Sequence, residues 1–215
     1  MTSSALPADR VRVAVFAKAP VAGQVKTRLA AMLGAEGAAQ LHATLVRHAV
    51  STAMLAGVGR VELWCAPDES HPFFSECAIE LGIRLRGQRG QDLGERMSHA
   101  FENAFSAGRH LILVGSDCPA LTASDIERAA IALASHDAVI TPAEDGGYVM
   151  IGLSRRIAGL FEGIEWSSAS VMHATRERLR AAGARCRELP TLWDVDRPED
   201  YARLQREGLL QEVPS

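Results

Sequence analysis

The sequence predicts an α/β layer sandwich built around a mostly parallel sheet, and three observations carry that prediction. Short β-branched runs alternate with longer segments of helical period, as where Val11-Arg-Val-Ala-Val-Phe16 is followed by Ala35 to Leu55. Cations or carboxylates flanked by glycine and proline sit directly after several apolar runs, where an open α/β sheet places its ligands. The turn Pro142-Ala-Glu-Asp-Gly-Gly147 joins two apolar runs in hairpin fashion, so one strand runs antiparallel to the rest.

Each element follows from its residues. Val11 to Phe16 is the first strand, and it stops at Ala17-Lys-Ala-Pro-Val-Ala-Gly-Gln-Val-Lys-Thr-Arg28. Lys18, Lys26 and Arg28 could neutralise a phosphate that Gly23 lets approach the backbone, although ordinary basic turns use the same residues. Apolar residues recur at helical spacing from Ala35 to Leu55, giving a long crossover helix. Val61 to Cys65 is the second strand, Pro72 to Leu81 a short helix, and Ile83 to Arg86 an edge strand. The segment Gly87-Gln-Arg-Gly-Gln-Asp-Leu-Gly-Glu-Arg96 opens a helix from Glu95 to Ser106, and a glycine-preceded helix start, here at Gly94, favours an anion.

Leu111 to Val114 is the most apolar run and the expected sheet centre. Asp117 follows it in Gly115-Ser-Asp-Cys-Pro119, a position that suits either a hard-cation ligand or a simple cap. Thr122 and Asp125 form an acidic capping box for a helix to about Ser135. Ala138 to Thr141 and Tyr148 to Ile151 are strands on either side of the Gly146-Gly147 turn, whose Glu144 and Asp145 face the same crevice. A short helix is expected over Arg155 to Phe161, then a helix to Ala182 capped by Ser167 or Ser168, a strand at Ala184 to Leu189, and a final helix, Tyr201 to Glu207. Asp194 and Asp196 alternate and so share one side of an extended segment, with Asp196 also able to cap the helix that Pro198 starts.

The 215 residues suffice for a well-buried core, and no repeat, low-complexity tract or linker divides residues 1–215, which read as one domain. A net charge of -3 with no sustained basic run argues against general nucleic-acid affinity. No run approaches the roughly 20 apolar residues of a membrane span. Met1 to Asp9 lacks a signal-peptide pattern, so a cytoplasmic location is expected. Cys65, Cys77, Cys118 and Cys186 form no CxxC pair and read as reduced thiols. His42, His48, His99, His110 and His173 show no ligand spacing and read as surface or core-edge residues. Trp64, Trp166 and Trp193 read as packing anchors, with Trp166 also placed to stack on an acceptor.

Five ordered motifs carry a resemblance. They are Phe16-Ala-Lys-Ala-Pro-Val-Ala-Gly-Gln-Val-Lys-Thr-Arg-Leu29, Gln91-Asp-Leu-Gly-Glu-Arg-Met97, Gly115-Ser-Asp-Cys-Pro119, Glu144-Asp-Gly-Gly-Tyr148 and Trp193-Asp-Val-Asp-Arg-Pro-Glu-Asp200. Together, over about residues 11–205, they resemble a bacterial family of small GT-A-fold, glycosyltransferase-like proteins, some linked to arsenosugar biosynthesis. That family is similar to the phospholactate guanylyltransferases and molybdenum-cofactor nucleotidyltransferases.

The resemblance implies a single-domain, Rossmann-like three-layer sandwich that binds a nucleoside-phosphate donor, a small acceptor and Mg2+ or Mn2+. It implies that Lys18, Gly23, Lys26 and Arg28 hold donor phosphates, with Lys26 also catalytic. Asp117 would be the main metal ligand, and Asp196, with Asp194 behind it, would complete the site. Asp145 and the Gly146-Gly147 backbone would face the acceptor, and with a nucleotide-sugar donor Asp145 would act catalytically as general base. Three loop cations favour nucleotidyl transfer from a nucleoside triphosphate with release of pyrophosphate. Glycosyl transfer from a nucleotide sugar is the alternative, and a non-catalytic nucleotide- or sugar-phosphate-binding protein a second. The chain departs from typical glycosyltransferases in having no second acidic residue two positions from Asp117, and from nucleotidyltransferases in having a less glycine-rich first loop. Nothing in the sequence bears on oligomeric state.

Overall fold

A strand covered on both faces must be apolar at successive positions, and Leu111-Ile-Leu-Val114 meets that demand. In the computed structural model, which describes residues 10–210, this run lies in the middle strand of a seven-stranded sheet. The strands are β1 (Val11–Lys18), β2 (Arg60–Ala66), β3 (Arg84–Gly87), β4 (His110–Gly115), β5 (Ala138–Pro142), β6 (Tyr148–Leu153) and β7 (Cys186–Glu188). Their order is β3-β2-β1-β4-β6-β5-β7. β1 pairs in parallel with β2 and β4, and β2 with β3, whereas β6 is antiparallel to both β4 and β5. Because β5 and β7 are parallel to one another, β6 alone runs against the sheet, as the Gly146-Gly147 turn predicts.

The helices are α1 (Ala30–Leu55), α2 (Pro72–Leu81), α3 (Leu93–Ser106), α4 (Ala123–Leu133), α5 (Val171–Ala181) and α6 (Pro198–Glu207). One face of the sheet packs Val13, Val15, Ile112 and Val114 against Val46 and Val50 of α1, Phe74 of α2 and Ile126 of α4. The other packs Phe16, Leu113, Ile140 and Ile151 against Met97 and Phe101 of α3 and Leu179 of α5. A third cluster holds Leu41 and Leu45 of α1 with Trp193, Val195 and Leu204. Full burial of a side chain such as Leu45 or Leu204 contributes about 1.5–3 kcal/mol. This third cluster therefore anchors the late segment 193–196 over the carboxyl end of the sheet.

Four expectations are corrected. Residues 155–161 form turns rather than a helix, because Gly159 takes a left-handed φ of 68° while Ile157, Leu160 and Phe161 pack into the second core face. α1 starts at Ala30 and is broken at Gly34, whose φ of 70° and ψ of 167° are not helical. The residue that caps α5 is Ser170, with no side-chain bond, while the Ser168 hydroxyl donates to Glu165 O at 2.7 Å. α6 starts at Pro198, and Asp196 does not cap it. Instead Asp200 accepts from Arg197 N at 2.7 Å and Asp196 N at 3.1 Å. The capping box of α4, by contrast, is present as expected between Thr122 and Asp125.

Candidate active site

From β1 the chain crosses to β2 and β3 on one side of β1 and returns to β4 on the other, so the order of the sheet reverses between β1 and β4. Beyond the carboxyl ends of such a pair the two loops part, and a crevice opens. Lys18 ends β1 and Asp117 lies just past β4. The turn from β5 to β6 brings Asp145 to the same end. A fourth contributor crosses over them: Leu192 N donates to Pro142 O at 3.0 Å, Glu144 N to Leu192 O at 2.9 Å, and Val195 N to Asp117 O at 2.8 Å. With Trp193 and Val195 buried in the third core cluster, the alternation of an extended segment leaves Asp194 and Asp196 on the crevice side.

Asp117 is the best-tethered of these carboxylates. Its Oδ1 lies 2.7 Å from Lys26 Nζ and 3.6 Å from His42 Nδ1. Lys26 is nearly buried, and its Nζ also donates to Val195 O at 2.6 Å. That lysine sits in the left-handed region at φ 48°, a conformation non-glycine residues keep only where surrounding contacts hold them. His42 Nε2 bonds Lys18 O at 3.0 Å, and a carbonyl can only accept, which puts a ring proton on Nε2, while Nδ1 lies 3.6 Å from Asp117 Oδ1, beyond hydrogen-bond reach. Asp117 Oδ1 is shut from solvent although the side chain is 44% exposed, so the exposure belongs to Oδ2, which opens on the crevice. Burial alone would push this carboxyl up, but the Lys26 ammonium beside it holds it well below the usual carboxylate range.

Asp117, Asp145 and Asp194 line one cavity of about 280 Å³ together with Tyr148, Trp166 and Ser167. An adjoining cavity of about 350 Å³ shares Asp145, Asp194, Ser167 and Ser168 and adds Arg28 and Asp196. The Asp194 carboxyl is pushed up to about 6, first by burial and then by the like charges of Asp145 and Asp117, with Lys26 acting the other way. Cys118 borders the first cavity, but burial pushes its thiol up to about 12, which leaves it a poor nucleophile.

The predicted site residues do not all meet. Asp117, Asp145 and Asp194 converge on one cavity. Asp196 and Arg28 pair with each other at the rim of the second, and Lys18 ends exposed at β1 with its carbonyl held by His42. Gly23 takes φ 76° with open space around it. Lys26 is not the free loop cation expected, because both its contacts are internal to the protein. Gly94 does not face the crevice: a Cβ there would collide with Phe161 O and lie 2.9 Å from the Trp166 ring, so this glycine is a packing position. Gly146 is similar, since φ 92° and the backbone of Ala169 both exclude a side chain, while Gly147 N donates to Asp145 Oδ1 at 2.8 Å. Glu144 turns away to Arg203. His42 is the residue that sequence reasoning misses, because its place in an apolar helical stripe matches that of any core-edge histidine.

Among the described residues, no three His, Cys, Asp or Glu side chains are gathered closely enough to hold a metal ion by themselves. Magnesium does not need such a cage, since it commonly takes one or two carboxylates and completes its shell with water and substrate phosphates. Asp117 Oδ2, open to the crevice, and Asp194, crowded by like charges in the same cavity, fit that mode. Asp196 lines the adjoining cavity instead, where it pairs with Arg28. No helix of the described residues is long and apolar enough to cross a membrane.

Comparison with known proteins agrees with this fold. A crystal structure of a protein from Desulfovibrio desulfuricans G20, provisionally described as a nucleotide-diphospho-sugar transferase, is 32% identical, with a TM-score of 0.80 over 88% of this chain and 83% of that one. A nucleotidyl transferase from Methanothermobacter thermautotrophicus is 14% identical with a TM-score of 0.64, over 93% of this chain and 98% of that one. A cytidylyltransferase from Leptospira borgpetersenii is 13% identical with a TM-score of 0.63, over 92% and 85%. These last two likenesses establish the fold alone. No curated protein matches the chain. Residues 49–168 match the model of a family described as uncharacterised proteins conserved in bacteria, and the chain belongs to that family, DUF2064.

Proposed function

We propose that the protein is a transferase that takes a group from a nucleoside-phosphate donor, with Mg2+ or Mn2+ held at Asp117 and Asp194. The observation that carries this reading is the convergence of Asp117, Asp145 and Asp194 on one cavity at the reversal point of the sheet, beside the β1 loop. A bound divalent ion would neutralise charge developing on the departing phosphate. The protein's own groups supply the rest. Lys26 fixes Asp117 through Oδ1, so that Oδ2 is presented without reorganisation. Asp145, its Oδ1 held by the Gly147 N–H, is placed to accept the proton of an attacking acceptor hydroxyl.

Two bonds of such a donor can break. The preference for nucleotidyl transfer drawn from three loop cations loses ground, because Lys26 is engaged by Asp117 and Arg28 by Asp196. Glycosyl transfer from a nucleotide sugar is the reading we put first, supported by the description of the 32% identical relative. Nucleotidyl transfer from a triphosphate is the second, supported by the names of the more distant structural neighbours.

A thermal-shift screen of nucleoside triphosphates against nucleotide sugars, with and without Mn2+, tests the proposal. A ligand of the folded state present at 100 times its Kd adds about 2.7 kcal/mol of apparent stability. The expected result is a Mn2+-dependent rise in Tm with a nucleotide sugar, lost in Asp117→Ala. A larger rise with a triphosphate would invert the order of the two readings, and no rise with any nucleotide would remove the transferase.

A further inference from the structure

We infer, on the transferase reading above, that the acceptor is a neutral, hydroxyl-rich molecule seated against Trp166 and that phosphorylated acceptors are disfavoured. The cavity that holds Asp117 is lined by three carboxylates and, among its described lining residues, by no lysine, arginine or histidine. The nearest ammonium, Lys26 Nζ, is spent on Asp117 and the Val195 carbonyl. A divalent ion shared by Asp117 and Asp194 would offset two of the three negative charges. Asp145 would keep its own, with only a backbone N–H on Oδ1.

An acceptor phosphate brought into this cavity meets an uncompensated carboxylate, and like charges brought together during desolvation act as a specificity filter. A hydroxyl group meets the opposite situation, because an ionised carboxylate can only accept hydrogen bonds and a hydroxyl can donate one. The other polar residues of that cavity are uncharged, with Ser167 and Ser168 at the rim it shares with the second cavity, where Arg28 is paired with Asp196. Ser167 is held at φ 65°, a left-handed conformation rare outside glycine, where it borders both cavities.

Much of the rest of the lining is apolar. Leu93, Val149, Val171, Tyr148 and Trp166 contribute to it, and Leu93 is among the exposed large hydrophobic residues of the protein. The Nε1–Cζ2 edge of the Trp166 ring rests over Gly94, which leaves the rest of the indole to the cavity. An apolar lining with a few convergent acceptors suits a ring or chain with one apolar face and an edge of hydroxyls. In the transfer step the acceptor oxygen bonds to the electrophilic atom of the donor and its proton passes to Asp145. The bond from that atom to the phosphate oxygen breaks, and the electron pair leaves with the phosphate.

The test is a tryptophan-fluorescence titration of the full chain in Mn2+, using glycerol, glucose, galactose and mannose beside glycerol 3-phosphate and the three hexose 6-phosphates. At least one neutral compound is expected to bind tenfold or more tightly than its phosphate, with the signal lost in Trp166→Phe. Asp145→Lys should reverse that ranking, and Asp145→Asn, which can keep the turn to Gly147, should narrow it if the lysine variant does not fold. Phosphate esters binding as tightly as their neutral partners, or no neutral compound binding at all, would overturn the inference. Either of those results from a chain whose Tm still responds to nucleotides refutes the acceptor class alone, whereas a chain with no nucleotide response refutes the transferase reading beneath it.

Discussion

Lys26 and Asp194 are the two residues whose energetics are most exposed to experiment. Lys26 joins three parts of the chain, since its backbone lies in the β1 loop, its Nζ reaches Asp117 after β4, and the same atom holds Val195 O in the late segment. Lys26→Met leaves a carboxylate beside two others and a carbonyl without its donor. Breaking a buried pair costs 3–5 kcal/mol, and with Asp117 partly open to water a loss of about 2 kcal/mol is expected in urea denaturation. The double variant Lys26→Met/Asp117→Asn should recover about half of it, because the orphaned charge is gone. A loss below about 0.5 kcal/mol in the single variant would class the contact with weak surface pairs.

Asp194 acts in the other direction. Its carboxyl is raised from 3.8 to about 6 on folding, so the fold prefers the protonated form. Stability from this group is complete below pH 3.8 and is lost as pH rises through 6. Asp194→Asn in EDTA is therefore expected to be more stable than the parent at pH 7.5 by about 1 kcal/mol, a value discounted for water in the cavity. The gain should vanish by pH 4. Equal stability at pH 7.5 would show that the three carboxylates do not strain the metal-free fold.

Among the elements, the start of α3 shows how local chemistry and packing divide a task. Asp92 caps the helix by accepting from Glu95 N at 2.8 Å, and Glu95 reaches back to Gln91 N at 2.7 Å. That pattern is legible in Gln91-Asp-Leu-Gly-Glu95, because capping depends on neighbours in sequence. The role of Gly94 is not legible there, since what excludes a side chain is Phe161 O and the Trp166 ring, brought in from more than sixty residues away. Gly94→Ala is expected to cost about 1–3 kcal/mol through overpacking and to shift the Trp166 emission, because a backbone oxygen cannot move aside as a side chain can. An unchanged emission spectrum would mean that Trp166 is not set by this contact. Residues 155–161 fail as a predicted helix for the same physical reason, with tertiary packing of Ile157 and Phe161 overriding local pattern.

At the scale of the whole molecule, the sheet order β3-β2-β1-β4-β6-β5-β7 makes the crevice, and the segment 190–197 completes it. The sequence by itself determined the α/β class, β4 at the centre, the single antiparallel strand and the acidic character of the site, because apolar period, turn chemistry and capping are local properties of the chain. Only the tertiary structure decided that Lys26 fastens one oxygen of Asp117, that Asp194 rather than Asp196 faces it, and that Gly94 supports Trp166 instead of a phosphate. Those three depend on distances between residues far apart in the chain, and such distances are set by how the layers pack.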